Sequence, residues 1–328
     1  MPPRSILLIK PGSLGDIIHA LPVASALHAA WPEAKLTWMA DPRWASLLAD
    51  NPAIHDIHSF PRETFRGVSG AIRGIRWYRE LSESSYDLVL DLQGLLRSAL
   101  AAKLAGSSAI YGLADAREGA GLFYHKAAQT HPLQHAVDRY LRILTLLDLP
   151  IPAKVEFPIH AEEVSYVPIE EQYIVINPFA RGGSKALANN AAIALFAETA
   201  NLVSCPVLCV GQGVPVEGLP GSVRDLTNKT TLPQLAGLLK HAAFVVSVDS
   251  GPMHLAAALG VPLLGIHTWS DPRKVGPYSE TAWIWQGGEI RQQSFHRPPD
   301  PEVPFTETSA REVAHFIKDR ERRLPPGP

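Results

Sequence analysis

The sequence predicts an α/β protein built from two Rossmann-like halves, and three observations lead there. Short β-prone runs alternate with segments of helical apolar spacing, the pattern of βαβ units around a parallel sheet. The alternation runs twice, interrupted once by a proline-bearing stretch without periodicity. The length, 328 residues, suits two domains of about 100–200 residues each.

The first half opens with SILLI as a strand, breaks at KPGSLGD and continues as IIHALPVASALHAAW, apolar at helical spacing up to Trp31-Pro32. That is a strand, a glycine loop and a helix. AKLTWMAD reads as a second strand and SYDLVLDLQG as another, followed by helix-like LLRSALAAKLAG. Between these strands, residues 61–80 hold Arg62, Arg66, Arg73, Arg76 and Arg79 together with Trp77. After helix-like DRYLRILTLLDL, residues 150–172 bring four prolines and little periodicity. In the second half YIVINPF, CPVLCVG, FVVSVDSG and VPLLGIHT read as strands, with AAIALFAETANLV, LPQLAGLLKHA and PMHLAAALG as the helices between them. SAREVAHFIKDRERRL is a last helix-like segment before PPGP, and no tandem repeat of 20–50 residues is visible.

Composition excludes several classes. Thirty basic against 32 acidic residues give a net charge of −2, with 46% hydrophobic and 19% charged residues. This is a globular composition, neither disordered nor basic enough for a general nucleic-acid binder. Two cysteines, Cys205 and Cys209, give no disulfide framework and no all-cysteine zinc site, and read as core residues of a buried strand. The apolar run ILLI is far shorter than the core of a signal peptide, and no stretch approaches 18 apolar residues. A cytoplasmic protein is expected, touching a membrane at most from its surface.

Four motifs carry chemistry. Gly12-Ser13-Leu14-Gly15-Asp16 lies between the first strand and first helix, where glycines let backbone approach a ligand beyond the carboxyl ends of the strands. Asp16 either caps the helix or points into a binding site. The spacing is not GxGxxG, so dehydrogenase-type dinucleotide binding is unsupported. Asp249-Ser250-Gly251-Pro252-Met253-His254 sits at a strand-to-helix junction of the second half. The free N–H groups of such a helix start suit a diphosphate. Asp249 can cap or bind a sugar hydroxyl, and His254 is either a structural histidine or a ligand. Asn177-Pro178-Phe179-Ala180-Arg181-Gly182-Gly183-Ser184-Lys185 is the loop after the first strand of the second half; it is a phosphate-wrapping loop or a solvated basic turn. The fourth, Ile266-His267-Thr268-Trp269-Ser270-Asp271-Pro272, ends the strand after the DSGPMH helix.

In this order and spacing, GSLGD, the NPxARxxSK loop, DSGPMH and IHTWSDP resemble glycosyltransferase family 9, the ADP-heptose:lipopolysaccharide heptosyltransferases. DLQGLLRSAL, GLADAREGAGLFYHKAA and QHAVDRYL resemble the heptosyltransferase I branch. The resemblance implies a GT-B fold, two Rossmann-like domains facing a central cleft. An acceptor-binding domain would span residues 1–155, a linker 156–172, a donor-binding domain 173–308, and a last helix, 309–328, would pack back on the first domain. Asp16 matches the family's catalytic aspartate, and Arg117 matches an arginine of acceptor binding, joined by Ser13, Gly15, Arg62, Arg66, Arg73 and Arg76. Lys185 matches the lysine on the donor phosphate; Arg181, Asp249, Ser250, Gly251, Pro252, Met253, His254 and Thr268 complete the donor side. One departure is that Lys185 is followed by Ala-Leu-Ala-Asn, where many members read SKxWP.

These assignments imply an inverting, metal-independent transfer of heptose from ADP-heptose to the Kdo region of lipopolysaccharide, with Asp16 as general base. Neither cofactor nor metal is expected. An anionic Kdo-lipid A acceptor at the inner-membrane surface would give the arginines of 61–80 a reason beyond solvation, with Trp77 at the membrane. A solvated helix face is the alternative. Another donor or acceptor within the family, a nucleotide-sugar 2-epimerase or a non-catalytic binding module are the rivals; an epimerase would convert the donor with no acceptor present.

Overall fold

The structure, a computed structural model, describes residues 2–60, 67–164, 172–181 and 185–321. It divides into two compact units, residues 1–160 and 161–328.

The first unit runs β1 (Ser5–Ile9), α1 (Leu14–Ala30), β2 (Lys35–Ala40), α2 (Ala45–Leu48), β3 (Asp56–Ser59), α3 (Gly67–Ser82), β4 (Leu88–Asp91), α4 (Leu96–Leu104), β5 (Ile110–Leu113), β6 (Lys126–Ala128) and α5 (Ala136–Leu141). All six strands are parallel, in the order β3-β2-β1-β4-β5-β6. This is the doubly wound order, in which the chain reverses direction between β1 and β4. β1 is apolar from its second residue on because it is central: Ile6, Leu7, Leu8 and Ile9 are all buried. α1 is apolar nearly all round for the same reason, and packs against α5. α3 and α4 pack together, and their inner residues, with Leu7, Ile9, Met39, Phe60 and Val89, form one core.

The second unit runs β7 (Ile174–Asn177), α6 (Asn189–Leu202), β8 (Val207–Cys209), β9 (Val223–Asp225), α7 (Leu232–Lys240), β10 (Phe244–Val248), α8 (Gly251–Ala258), β11 (Leu263–Ile266), α9 (Pro272–Val275), β12 (Trp283–Gln286), β13 (Glu289–Gln292) and α10 (Glu307–Glu321). Its sheet order is β13-β12-β11-β10-β7-β8-β9, parallel except for the β12–β13 hairpin. The chain reverses direction between β7 and β10. Gly287 (φ 64°) and Gly288 (φ 86°) form the two-residue hairpin turn, which needs positive φ at both positions. Residue 162 already belongs here: its N–H donates to Pro233 O (3.0 Å), and a Cβ at Gly237 would lie 1.8 Å from Glu162 O. Both α/β units are therefore as expected.

Within the second unit the last helix is not free-standing: Ala310, Val313, Ala314 and Ile317 of α10 are buried against α6. Phe316 meets Phe244 and Trp283, and Ser204 donates to Glu321 through its N–H (2.8 Å) and hydroxyl (2.9 Å). The apolar stripe at i, i+3, i+4 and i+7 covers the nearest exposed core, that of its own unit. DRYLRILTLLDL is not the single helix expected: α5 gives way to a 3-10 segment, Arg142–Leu147. The Thr145 hydroxyl donates to Arg142 O (2.8 Å), a local bond that competes with helix continuation.

Candidate functional site

Each unit carries a polar cluster at its own point of chain reversal, beyond the carboxyl ends of its strands, where open α/β sheets bind ligands. In the first unit the cluster is built on Asp16. Gly12, after β1, has φ +148°, and a Cβ there would lie 2.7 Å from Trp44 Nε1, so only glycine lets the chain pass under that indole. α1 then starts with Ser13 as its N-cap and Asp16 as its third helical residue. The Asp16 Oδ2 accepts from the Ser13 N–H (2.9 Å) and hydroxyl (2.9 Å), the reciprocal arm of a capping box. Helix capping is thus part of Asp16's role, but it uses one oxygen only.

The other oxygen, Oδ1, accepts from the Tyr140 hydroxyl (2.7 Å) and lies 3.5 Å from Lys10 Nζ. Lys10 is 3% exposed and donates to Leu92 O (3.3 Å). Tyr140, equally buried, has Lys10 on its ring at 4.7 Å and Arg139 at 5.2 Å. Arg139 is held by Asp115 in a bidentate ion pair. Burial alone would raise the Asp16 carboxyl. The Lys10 ammonium, the Tyr140 hydroxyl, His19 and the Ser13 N–H outweigh it and hold Asp16 well below the usual carboxylate range. Its side chain is 37% exposed, so an ionised carboxylate faces solvent from a cationic, hydrogen-bonded floor. Burial raises Tyr140 to about 12, and it stays protonated.

The other acceptor-side residues are distributed. Ser13 and Gly15 belong to the start of α1, Ser13 exposed and Gly15 buried. Arg117 is exposed in the loop after β5, its N–H donating to Gly94 O (2.8 Å). Arg73 and Arg76 lie exposed on α3, Arg76 paired to Glu80 at 2.9 Å. Arg62 and Arg66 lie outside the described residues. Trp77 does not face outward as expected: its Nε1 donates to Ser59 O (2.9 Å) and its ring packs on Phe60, His58 and Tyr78.

The second cluster joins the ends of β7 and β10. Asn177 Nδ2 donates to Ser247 Oγ (3.0 Å) and Ser250 Oγ (2.8 Å), fastening the two strand ends together. Ser250 is the N-cap of α8, yet its hydroxyl is directed at Val248 O (3.1 Å) and makes no cap bond. The α8 start, Gly251-Pro252-Met253, therefore has no side-chain cap, and Met253, completely buried, contributes backbone only. Asp249, 5% exposed, lies 2.8 Å from Lys185 Nζ and 3.6 Å from His254 Nε2. Burial would raise this carboxyl too, but the His254 hydrogen bond and the Lys185 ammonium hold it far below the carboxylate range. His254 is thus the buried neighbour that orients Asp249. Lys185 also sits 4.9 Å over the half-exposed Trp269 ring. Arg181 is exposed, and Gly182, Gly183 and Ser184 lie outside the described residues. Thr268 and Trp269, with Glu302, Val303 and Pro304, line a cavity of ≈ 480 Å³.

Lys10, Tyr140 and Ser247 were not singled out from sequence, and Asn177 and His267 stood out only as members of their loop motifs. Lys10 had one local signal, a charge ending an apolar strand. His267 is fully buried, bonded through Nδ1 to Ser270 Oγ (2.8 Å); burial lowers it to about 4, so it is neutral. Among the described residues no group of three or more His, Cys, Asp or Glu side chains is arranged to hold a metal ion.

A family model described as glycosyltransferase family 9 (heptosyltransferase) matches residues 75–302. Lipopolysaccharide heptosyltransferase 1 of Pseudomonas aeruginosa is 30% identical over 294 residues, 84% of this chain and 82% of its own length. Lipopolysaccharide core heptosyltransferase OpsX of Haemophilus influenzae is 23% identical over 318 residues, 92% and 90% of the two chains. Among solved structures, E. coli heptosyltransferase WaaC with ADP-2-deoxy-2-fluoro heptose superposes with a TM-score of 0.77 at 24% identity, over 96% of this chain and 99% of its own. The GT-B fold expected from the motifs is the fold of the chain. A family-model match over residues 75–302, together with a 30% identical relative covered over 82% of its length, makes this protein a glycosyltransferase belonging to family 9.

Proposed function

We propose that the chain transfers heptose from ADP-heptose to the Kdo region of lipopolysaccharide inner core, with inversion and without a metal ion. The observation that carries this reading is the Asp16 carboxylate, ionised and partly open to solvent at the chain-reversal point of the first sheet. The relatives' names give it the sugar and the glycan: lipopolysaccharide heptosyltransferases in sequence, and an ADP-heptose analogue in the related structure.

In the reaction the exposed Ser13 hydroxyl turns away from Asp16 Oδ2, and an acceptor hydroxyl takes its place. The acceptor O–H bond breaks, its proton passes to Oδ2, and the oxygen attacks the anomeric carbon of the donor. The bond from that carbon to the diphosphate oxygen breaks and ADP leaves with the electron pair. One displacement needs one base and inverts the anomeric centre. Negative charge grows on the departing diphosphate, opposite Lys185, Arg181 and the N–H groups at the start of α8. Lys185 gives one N–H to Asp249 and has two more for phosphate oxygens. These fixed positive groups take the place of a metal, as the expected absence of one requires. Asp249, Ser250, His254 and Thr268 shape the donor side, and Gly15, Arg73, Arg76 and Arg117 the acceptor side. The acceptor, Kdo-lipid A, is anionic and membrane-borne, which places the enzyme in the cytoplasm at the inner face of the inner membrane. No helix among the described residues is long and apolar enough to cross a membrane.

The test incubates purified protein with ADP-heptose and deacylated Kdo-lipid A and reads ADP release and acceptor mass, with and without EDTA. One heptose gained, insensitive to EDTA, abolished in Asp16→Ala and absent without acceptor, is the expected result. Donor turnover without acceptor would transfer the reading to an epimerase, and EDTA inhibition would remove the metal-independent part.

A further inference from the structure

The sequence pointed to the arginines and Trp77 of residues 61–80 as a membrane grip, but the structure turns Trp77 inward and turns two isoleucines outward. On α3, Ile72 is 67% and Ile75 70% exposed, and with Arg76 and Arg79 they form one stripe at i, i+3, i+4 and i+7. The inner face, Gly70, Gly74 and Leu81, is buried. Beside it, α4 exposes Leu96, Leu100 and Leu104, again one row at four-residue spacing. The short 3-10 turn packed on α4 (Ala120–Phe123) exposes Leu122 almost completely. Both helices lie in one layer and both begin at the carboxyl end of the sheet, the end that carries Asp16. Exposed apolar residues scattered singly mean little; several on adjoining elements mark an interaction surface.

The charges say what covers it. α3 contains Arg73, Arg76 and Arg79 against a single acid, Glu80, and α4 contains Arg97 and Lys103 and no acid, in a chain whose net charge is −2. Apolar side chains interleaved with cations on one helix face are the chemistry of an anionic lipid surface, the apolar residues entering the acyl boundary and the cations meeting lipid phosphates. We propose that the outer face of α3, α4 and the adjoining turn is a docking surface for an anionic lipid bilayer. There Ile72 and Ile75 are the inserted residues, and the bilayer presents its lipid-borne acceptor to the end of the unit that holds Asp16. The purpose of the contact rests on the acceptor reading above; the contact itself does not.

The experiment mixes the full chain with phosphatidylcholine vesicles, with and without phosphatidylglycerol, and measures co-sedimentation at low and high salt. Binding to the anionic vesicles, weakened by salt, is expected. Ile72→Asn/Ile75→Asn, and separately Leu100→Asn, should weaken it by about tenfold with an unchanged melting temperature. Val214→Asn, an exposed apolar residue of the other unit (81%), should leave it unchanged. Turnover of the deacylated acceptor should survive in the isoleucine variant. If no transfer to that acceptor occurs in any form while vesicle binding still depends on Ile72 and Ile75, the docking surface stands and the acceptor reading falls. Full-chain protein left in the supernatant with anionic vesicles, or an isoleucine variant that binds as the parent does, overturns the proposal. So does a dimer in sedimentation velocity that the isoleucine variant abolishes, since the face would then belong to a second copy.

Discussion

Replacing Lys10 by methionine tests the electrostatics of Asp16 directly, because it removes the ammonium and keeps a stem of similar length. The charges are 3.5 Å apart. At an effective dielectric of about 20 their attraction is about 4.7 kcal/mol. Solvent reaches more than a third of the Asp16 side chain and roughly halves that figure. About 2 kcal/mol remains, or about 1.5 pH units at 1.36 kcal/mol per unit. The sign follows from the carboxylate being the form stabilised: Asp16 is held low by Lys10, so losing Lys10 raises its pKa and moves the acid limb of kcat/KM to higher pH. In the parent that limb lies below the range in which activity is measured; Lys10→Met and Tyr140→Phe combined, about three units together, should bring it to the acid edge of that range, while the rate above pH 7 is partly retained. Tyr140→Phe removes one charge-assisted hydrogen bond (2.7 Å) and should shift the limb in the same direction by about one to two units. The assay is ADP release across pH 4–9 at subsaturating acceptor, with a melting curve for each variant. A uniform fall in activity at every pH, with the limb unmoved, would refute the reasoning and leave both residues as mere packing.

Three further outcomes follow from the structure. Lys185→Met should weaken donor binding by about tenfold or more, the loss of one charge-assisted contact, with acceptor KM little changed; titration calorimetry with ADP reads it, and equal affinity would remove Lys185 from the donor site. Gly12→Ala forces a Cβ to 2.7 Å from the Trp44 indole at φ +148°. It should cost about 1–3 kcal/mol and lower turnover through Asp16's displacement, whereas an unchanged melting temperature would mean the loop adapts. Burial raises the thiol of Cys209 to about 11 and that of Cys205 to about 12. At pH 8 about a thousandth or less of either is thiolate, so an aromatic disulfide reagent should label the half-buried Cys205 slowly and Cys209 only on unfolding, and rapid native labelling of Cys209 would contradict its burial.

Local pattern made the two halves legible. The central strands SILLI and FVVSV are buried on both faces, so each appears as a nearly continuous apolar run, broken only by Ser5 at the start of the first and Ser247 within the second. The edge strands were not read: Asp56–Ser59, Lys126–Ala128 and Val223–Asp225 are short and partly exposed, so no period distinguishes them from loop. The β12–β13 hairpin carries a local signal, two glycines between WIWQ and EIRQ. For the last helix, periodicity gives the apolar stripe but not its partner, and the structure places that stripe on α6.

By itself the sequence determined the two α/β series and the glycine loops at the strand ends beside which Asp16, Lys185 and Asp249 lie, because turn chemistry and strand periodicity act over a few residues. Only the tertiary structure decided what surrounds them. Tyr140 reaches Asp16 across 124 positions, Lys185 reaches Asp249 across 64, and Asn177 reaches Ser247 across 70. Those meetings depend on which strands pair and at which register, and strand order is set by the packing of helices over whole sheets, not by any one segment. The depressed pKa of Asp16 and the outward turn of Ile72 and Ile75 are properties of that packing: the same residues on an isolated loop or helix would be an ordinary carboxylate and two solvated side chains.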